Sequence, residues 1–307
     1  MVNSMEFRKI LCSVLDKLME QDERICVLDA DLSKPNGTAK LYEKYPKRTF
    51  NAGIAEANMI GVAAGLKAYG MIPVVVTFTP FATRRVYDQI AVSVAYAKLP
   101  IIIIGTDPGI TAELNGGTHM SFEDVALMRA IPTMKIYDAV DPRQLESALP
   151  KLIYSEQPVY IRMPRKERPD VFDEGYIFEE KADIVKEGTD ASIIATGTMV
   201  YEAMEAAKQL ELENINVEVI SVNMIKPLDE KTILDSVKKT NKVVVCENNN
   251  LIGGLYEAIC RLLIENHPVK VEGIGVKDQF GQVGKYSDLL KAYNMTPEDI
   301  VKAIKKQ

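Results

Sequence analysis

Short apolar runs without polar alternation recur along this 307-residue chain and most constrain its fold. A strand with one wet face would alternate apolar and polar side chains, so runs such as "PIIIIG" predict strands covered on both faces, as in a parallel sheet. In the first half, the strand-like runs are 24–29, 71–78, 100–105, 134–139 and 158–163. Stretches with helical periodicity lie around them, at 5–20, 57–69, 80–97, 121–130 and 141–154. This alternation is typical of an α/β fold.

The same alternation resumes near residue 190. Strands are predicted at 191–197, 217–222, 242–248 and 269–275, with helices near 199–212, 229–239 and 253–265. The segment "MTPEDIVKAIKK" predicts a last helix with Thr296 as its N-cap. Residues 164–188 are charged and hold two prolines, and they could include a hairpin. We therefore predict two doubly wound α/β domains, 1–165 and 189–307, joined by a linker at 166–188.

Composition excludes several classes of function. A net charge of −6 leaves no basic surface for nucleic acid or anionic lipid. The amphipathic first 20 residues lack the apolar core of a signal peptide, and no run is long enough to span a bilayer. Four scattered cysteines form no C-x-x-C pair, which favours reduced thiols. We expect a cytoplasmic protein that binds neither nucleic acid nor membrane.

Familiar cofactor motifs are also missing. No G-x-G-x-x-G follows a predicted strand, and "GQVGKYS" lacks the spacing of a P-loop. The chain has two histidines, which argues against a histidine-rich metal site. We expect no metal ligands in this chain.

A carboxylate stands at the start of an apolar helix in "NAGIAEANMIGVAAGLKAYG", residues 51–70. Small residues follow Glu56 and would let a ligand or another backbone approach closely. An acid in the first turn is also stabilised by the helix dipole. From the residues alone, Glu56 is either a helix-capping acid or a site residue.

Two further segments favour a site. Phe78 and Phe81 stand three residues apart at a strand-to-helix turn, where open α/β sheets place ligands. A long glycine-rich loop, "GTDPGITAELNGGTH", then ends at His119. Connections of this length tend to be functional.

In this order the motifs resemble the C-terminal section of a transketolase. "GIAEANMIGVAAGL" and "TFTPF" are similar to the pyrimidine-binding domain of that family, and "GGTH" resembles its "GPTH" substrate loop. "ASIIATGTMVYEAMEAAKQL" and "ENNNLIGGLYEAI" resemble its C-terminal domain. The resemblance implies a thiamine-diphosphate-binding (pyrimidine-binding) fold followed by a transketolase C-terminal-domain fold. No "GDG" occurs here, so the Mg²⁺ and diphosphate site would belong to a partner, the N-terminal transketolase subunit.

The resemblance also implies roles for residues at the cofactor. Glu56 would hydrogen-bond the aminopyrimidine ring of thiamine diphosphate, with its pKa raised by apolar surroundings so that a proton can be shared. Phe78 and Phe81 would pack on that ring. Asp31, in "LDADLS", would lie near the thiazolium end. His119 would contact substrate hydroxyls and move protons near neutral pH.

Substrate residues follow the family with departures. Arg8 and Arg165 match arginines that bind a sugar phosphate. Asp107 stands where the family has a histidine, and its anion is expected to repel a phosphate. Asn115 replaces an aspartate that reads a substrate hydroxyl. Arg84 stands where many members have a tyrosine. These departures leave open whether the substrates are phosphorylated.

The implied activity is transfer of a two-carbon ketol unit from a ketose or ketose phosphate to an aldose or aldose phosphate, as in pentose phosphate metabolism. We expect the chain to act only with its partner, in an α2β2 assembly that pairs through the helix at 57–69. A 1-deoxyxylulose-5-phosphate synthase-like subunit and a 2-oxo acid dehydrogenase β-like subunit are alternatives. A regulatory paralogue without activity is a third.

Overall fold

A computed structural model describes residues 5–307 and packs them as two compact units. The first unit runs to Pro108 and also holds Leu127–Tyr137 and Asp141–Phe178. The second holds Gly109–Ala126, Asp138–Val140 and Glu179–Gln307. Each is built on a largely parallel sheet with helices around it, so the predicted α/β class is confirmed.

The elements up to Met163 are bounded as follows. The strands are β1 Ile25–Asp29, β2 Thr49–Asn51, β3 Ile72–Phe78, β4 Ile102–Thr106, β5 Lys135–Asp138 and β6 Val159–Met163. The helices are α1 Phe7–Gln21, α2 Ser33–Asn36, α3 Ala39–Lys44, α4 Glu56–Ala68, α5 Thr79–Ala82, α6 Tyr87–Gln89, α7 Asp124–Ala130 and α8 Pro142–Leu152. In the first unit the strands lie in the order β5-β6-β4-β3-β1-β2.

The uniform apolar runs do lie in the middle of a sheet. Strands β1, β4 and β6 are buried along their whole length, and each is parallel to the neighbours whose register is known. Helix α8 begins as its sequence predicts, because Pro142 occupies the first turn and the Asp141 side chain accepts a 2.8 Å hydrogen bond from the Gln144 backbone.

The helix expected at 80–97 is wrong as a single element. It breaks into α5, a 3₁₀ turn at Arg84–Val86, the short α6 and a π-helical stretch at Ile90–Tyr96. Thr83 marks the first break, with φ −128° and ψ −90°. Its hydroxyl donates to the Thr79 carbonyl at 2.7 Å, which satisfies a backbone acceptor in the turn. The break exposes Arg84 and Arg85 on a tight turn instead of a helix face.

The elements of the second half are bounded as follows. The strands are β7 Asp183–Lys186, β8 Ala191–Ala195, β9 Val217–Ser221, β10 Met224–Lys226, β11 Val243–Asn250 and β12 Val271–Val276. The helices are α9 Met199–Glu211, α10 Glu230–Thr240, α11 Leu255–Asn266, α12 Tyr286–Ala292 and α13 Pro297–Lys305. The sheet of the second unit has the order β12-β11-β8-β9-β7.

Two features of this unit follow from local sequence and one does not. The last helix, α13, has the expected cap: Thr296 accepts from the Asp299 backbone, and the Asp299 carboxylate accepts from Thr296 in return. The apolar strands β8 and β11 pair in parallel at the centre of the sheet. Strand β7 was not expected, since it lies in the charged segment and pairs antiparallel with β9 rather than forming a hairpin.

Some classes of site can be checked over the part of the chain that the structure describes. Among residues 5–307, no helix is long and apolar enough to cross a bilayer. The same residues contain no group of three or more histidine, cysteine or acidic side chains placed to hold a metal ion. All four cysteines are free thiols. Burial raises the pKa of Cys26 to about 12, so this thiol is unreactive at neutral pH.

Candidate active site

Glu56 is the first residue of α4, and its side chain is only 3% exposed. It does not cap the helix, because its one polar contact among the described residues is an ion pair with Arg85, in which Nη1 lies 2.6 Å from Oε1. The turn before it requires Gly53, whose φ is +68°. The buried carboxylate at this position therefore has a role other than capping the helix.

Two aromatic rings lie next to this ion pair, one in contact with Arg85 and the other beside the first ring. The Arg85 guanidinium lies over the ring of Phe81, with 3.7 Å from its carbon to the ring centroid. The Phe81 and Phe78 centroids are 6.1 Å apart, and both rings are partly exposed. The Arg165 guanidinium lies over Phe78 at 4.5 Å. Cations over aromatic faces are favourable contacts.

These contacts form a continuous line of side chains in the first unit, which we call the stacked row. Its members, from one end to the other, are Glu56, Arg85, Phe81, Phe78, Arg165 and Asp107.

Asp107 closes the far end of the stacked row. It follows β4 directly, is 3% exposed and has φ +54°. It accepts two hydrogen bonds from Arg165, one from the backbone N at 2.8 Å and one from Nε at 2.6 Å. Burial raises the pKa of Asp107, and the Arg165 cation opposes that rise. The carboxylate therefore faces its own counter-charge and holds Arg165 in place.

Arg8 lies beside Arg165, because the Arg8 backbone N donates to the Arg165 carbonyl at 3.2 Å. Its guanidinium is held by Glu6 through Nε at 3.0 Å and Nη2 at 3.1 Å. The hydrogen bonds to Glu6 raise the pKa of Arg8. Each of the two predicted phosphate-binding arginines thus has a carboxylate partner, which contacts two guanidinium nitrogens of Arg8 and Nε of Arg165.

Asp31 lies on the surface at the carboxyl end of β1, with φ +62°. Its backbone N donates to Asn51 Oδ1 at 3.0 Å, and the same oxygen accepts from Gly53 N at 2.8 Å. Asn51 therefore ties Asp31 to the loop that precedes Glu56. Nearby Asp29 is fully buried, and burial raises its pKa.

His119 and Asn115 belong to the second unit, on the glycine-rich loop. His119 is half-buried, with Nδ1 2.9 Å from the Thr118 hydroxyl, whereas Asn115 is exposed. The glycines shape this loop. Gly116 has φ +74°, and a Cβ on Gly117 would lie 2.2 Å from the Gly281 carbonyl oxygen.

Comparison with known proteins identifies the two halves. Residues 3–170 match the transketolase pyrimidine binding domain, and residues 180–300 match the transketolase C-terminal domain. The chain belongs to the transketolase family. These matches confirm the resemblance seen in the sequence. The cofactor of this family is thiamine diphosphate.

Among its relatives, the transketolase chain is similar to the 6-deoxy-6-sulfo-D-fructose transketolase subunit SqwH of Clostridium sp. (strain MSTE9). The two are 46% identical over 96% of this chain and 92% of that protein. It is 39% identical to a putative transketolase C-terminal section of Methanocaldococcus jannaschii, over 97% of this chain and 94% of that protein. A solved structure described as a split gene transketolase, an inactive β4 tetramer, matches with a TM-score of 0.89 at 38% identity, over 99% of this chain and 98% of that one.

The residues of the stacked row fit the ring half of the family's cofactor. An aminopyrimidine needs a shielded carboxyl at a ring nitrogen and aromatic faces beside it, and Glu56, Phe81 and Phe78 provide these within one unit. The described residues contain no acidic or histidine cluster suited to the cofactor's metal. The donor set of the stacked row therefore suits the pyrimidine ring.

Sequence reasoning missed Arg85 and Glu6. Both hold a predicted site residue, Glu56 and Arg8 respectively. The motif "RRVYDQ" contains Arg85. On the helix expected there, the neighbouring side chains of Arg84 and Arg85 would point to different faces, and nothing in the motif indicated which of them faces Glu56. Only the broken turn brings Arg85 to Glu56.

Proposed function

We propose that this chain is the smaller subunit of a split, thiamine-diphosphate-dependent transketolase, which moves a two-carbon ketol unit from a ketose to an aldose. The observation that carries the proposal is the buried carboxylate of Glu56 beside the Phe81 and Phe78 rings. The chain covers nearly the whole of split transketolase subunits and lacks the "GDG" motif. We infer that an N-terminal partner subunit supplies the diphosphate and Mg²⁺ site.

Glu56 acts on the cofactor's pyrimidine edge. When bound, thiamine diphosphate would supply the nucleophilic carbon chemistry needed at the ketose carbonyl. Glu56 holds a ring nitrogen by a hydrogen bond, and its burial strengthens that bond by excluding water. Phe78 and Phe81 orient the ring. Asn51 accepts hydrogen bonds from the backbones of both Asp31 and Gly53, and Asp31 would lie at the thiazolium side of the bound cofactor.

His119 and Asn115 serve the sugar. An imidazole that is half-buried can donate to a sugar hydroxyl and accept a proton near neutral pH. Asn115 offers a neutral amide that can both donate and accept. The tight packing of Gly117 against Gly281 supports the loop that presents them.

We propose that the anionic end of the sugar meets a cluster of cations and anions that contains Arg8, Arg165, Lys9, Glu6 and Asp107. Each guanidinium already has a carboxylate partner, and Lys9 lies 3.5 Å from the same Glu6 carboxylate and adds a further cation to the cluster. A phosphate monoester brings a charge of about −1.5 to −2 at pH 7, whereas a sulfonate brings a single charge. We propose a ketose with a terminal sulfonate as the preferred donor, because the substrate in the SqwH relative's name carries that group.

Assembly follows from the surface of the first unit. The glycines Gly61 and Gly65 on α4 face open space, and Val62 and Tyr69 nearby in the chain are exposed. Tyr96 is also exposed and ends the stretch Ile90–Tyr96, which contacts α4. Such a surface is typical of an interface. We propose that the partner and a second copy cover it in a cytoplasmic α2β2 assembly, and the tetramer of the solved relative supports self-association.

The test is reconstitution of the chain with the partner, thiamine diphosphate and Mg²⁺. With glyceraldehyde 3-phosphate as acceptor, we expect 6-deoxy-6-sulfo-D-fructose to be the better donor than fructose 6-phosphate. Glu56→Gln should lower kcat at least 100-fold while circular dichroism stays unchanged. Turnover by the chain without a partner, or use of pyruvate as the sole donor, would contradict the proposal.

A further inference from the structure

We propose that Arg85 acts as a placeholder: in the free chain its guanidinium occupies the position that the cofactor's aminopyrimidine takes, and it must swing out before the ring can bind. This inference rests on the proposed function. It begins from two contacts of one side chain, the ion pair with Glu56 at 2.6 Å and the contact with the Phe81 ring at 3.7 Å.

The guanidinium and the aminopyrimidine have the same recognition chemistry. Both are planar, both present N–H groups along an edge, and both offer a face to an aromatic ring. Glu56 and Phe81 are the residues proposed to receive the ring. Since Arg85 already contacts the carboxylate and covers one aromatic face, the ring and the guanidinium compete for the same two partners.

Arg85 is placed so that it can leave. Its side chain is 43% exposed, and its backbone lies in the 3₁₀ turn Arg84–Val86 rather than in a helix. The other guanidinium nitrogens make no hydrogen bond to the described residues. Swinging out costs one ion pair and one stacking contact, and the guanidinium regains water.

Glu56 disfavours the open state. A carboxylate that is 3% exposed is costly to leave without a partner, so the state with Arg85 swung out is the minor one in the absence of the cofactor. The placeholder thus keeps the site closed in the free chain. It also lowers the apparent affinity for the cofactor by the fraction of molecules in the open state.

The experiment measures thiamine diphosphate binding by isothermal titration calorimetry, in the complex with the partner subunit and Mg²⁺. Arg85→Gln removes the planar cation and should tighten the apparent Kd by about tenfold, as for a site closed about 90% of the time. Arg24→Gln is the matched control, since it removes the same charge from an arginine–carboxylate pair of the first unit outside the stacked row. We expect its Kd to stay within about twofold of the parent.

A second variant guards against misfolding. Arg85→Lys keeps the charge but loses the planar stacking on Phe81, and it should tighten the Kd by about threefold. If Arg85→Gln or Arg85→Lys binds the cofactor as the parent does, or more weakly, Arg85 is no placeholder. Weaker binding would instead make it part of the bound site.

A third variant separates this inference from the proposed function. Glu56→Gln should weaken cofactor binding at least tenfold, because the carboxylate is the proposed ring partner. If Glu56→Gln binds thiamine diphosphate with the parent affinity, the proposed cofactor site is wrong. If it weakens binding while the Arg85 variants change nothing, the proposed function stands and the placeholder inference fails.

Discussion

Removing one member of the Arg165–Asp107 pair should destabilise the first unit far more than removing a surface ion pair. Asp107 is 3% exposed and accepts two hydrogen bonds from Arg165, which is itself 15% exposed. The pair also joins the carboxyl ends of the adjacent strands β4 and β6. It therefore belongs with buried ion pairs, whose disruption from one side costs several kcal/mol.

The magnitudes can be worked from these contacts. Arg165→Gln leaves the Asp107 carboxylate buried without its cation, at a cost of about 3 kcal/mol in the free energy of unfolding. Asp107→Asn still accepts from the backbone N, but its amide group opposes the Nε donor, at a cost of about 2 kcal/mol. Both variants lose the same interaction. The double variant should therefore cost about 3 kcal/mol rather than 5, a coupling of about 2 kcal/mol.

Hydrogen exchange of peptides covering β4 and β6, measured by mass spectrometry, is the suitable assay. It reports the first unit by itself, which matters because two compact units need not unfold together. The exposed pair Lys17–Glu146, at 3.9 Å between α1 and α8 of the first unit, provides a control cycle with an expected coupling below about 0.5 kcal/mol. Additive effects at Asp107 and Arg165 would refute the reasoning that the two act as one buried unit.

Other predictions test local features. The hydrogen bond from Arg24 lowers the pKa of Asp22 to about 2, so Asp22→Asn should cost up to about 1 kcal/mol at pH 7, after allowance for solvent screening. That cost should shrink as the pH falls from about 4 towards 2, and a difference in Tm that is undiminished at pH 2 would contradict it. Thr296→Ala removes the cap of α13 and should lower stability by about 1 kcal/mol in thermal denaturation; an unchanged Tm would count against the cap. Gly117→Ala should increase hydrogen exchange of the loop, because the new Cβ would overlap the Gly281 carbonyl; parent-like protection would show that the loop tolerates a side chain.

The strands and most helices could be predicted because their cause is local. Uniform apolar runs are buried wherever they lie in the middle of a parallel sheet, and β1, β4 and β6 do so. Short elements with weaker patterns were missed, including β2, β7 and α12. The stretch 80–97 has helical periodicity, yet it breaks at Thr83, where a side chain bonds back to the preceding turn.

The sequence indicated candidate site residues by type and order, but it did not indicate which side chains they contact. The motif predicted a carboxylate at Glu56 and aromatic rings at Phe78 and Phe81. It gave no indication that Arg85 pairs with Glu56, because that contact depends on a turn of unusual geometry. The roles of these residues at the cofactor stay predictions.

The sequence by itself determined the α/β class, the family and the chemical groups available, because apolar periodicity and motif order are properties of neighbouring residues. Only the tertiary structure decided which charges are compensated. Asp107, expected to act as a repelling anion, is bonded to Arg165, and Glu56 is bonded to Arg85. Ion pairs between residues far apart in the chain form where strand ends and turns meet, and burial makes each of them compulsory since an unpaired charge there is too costly to keep.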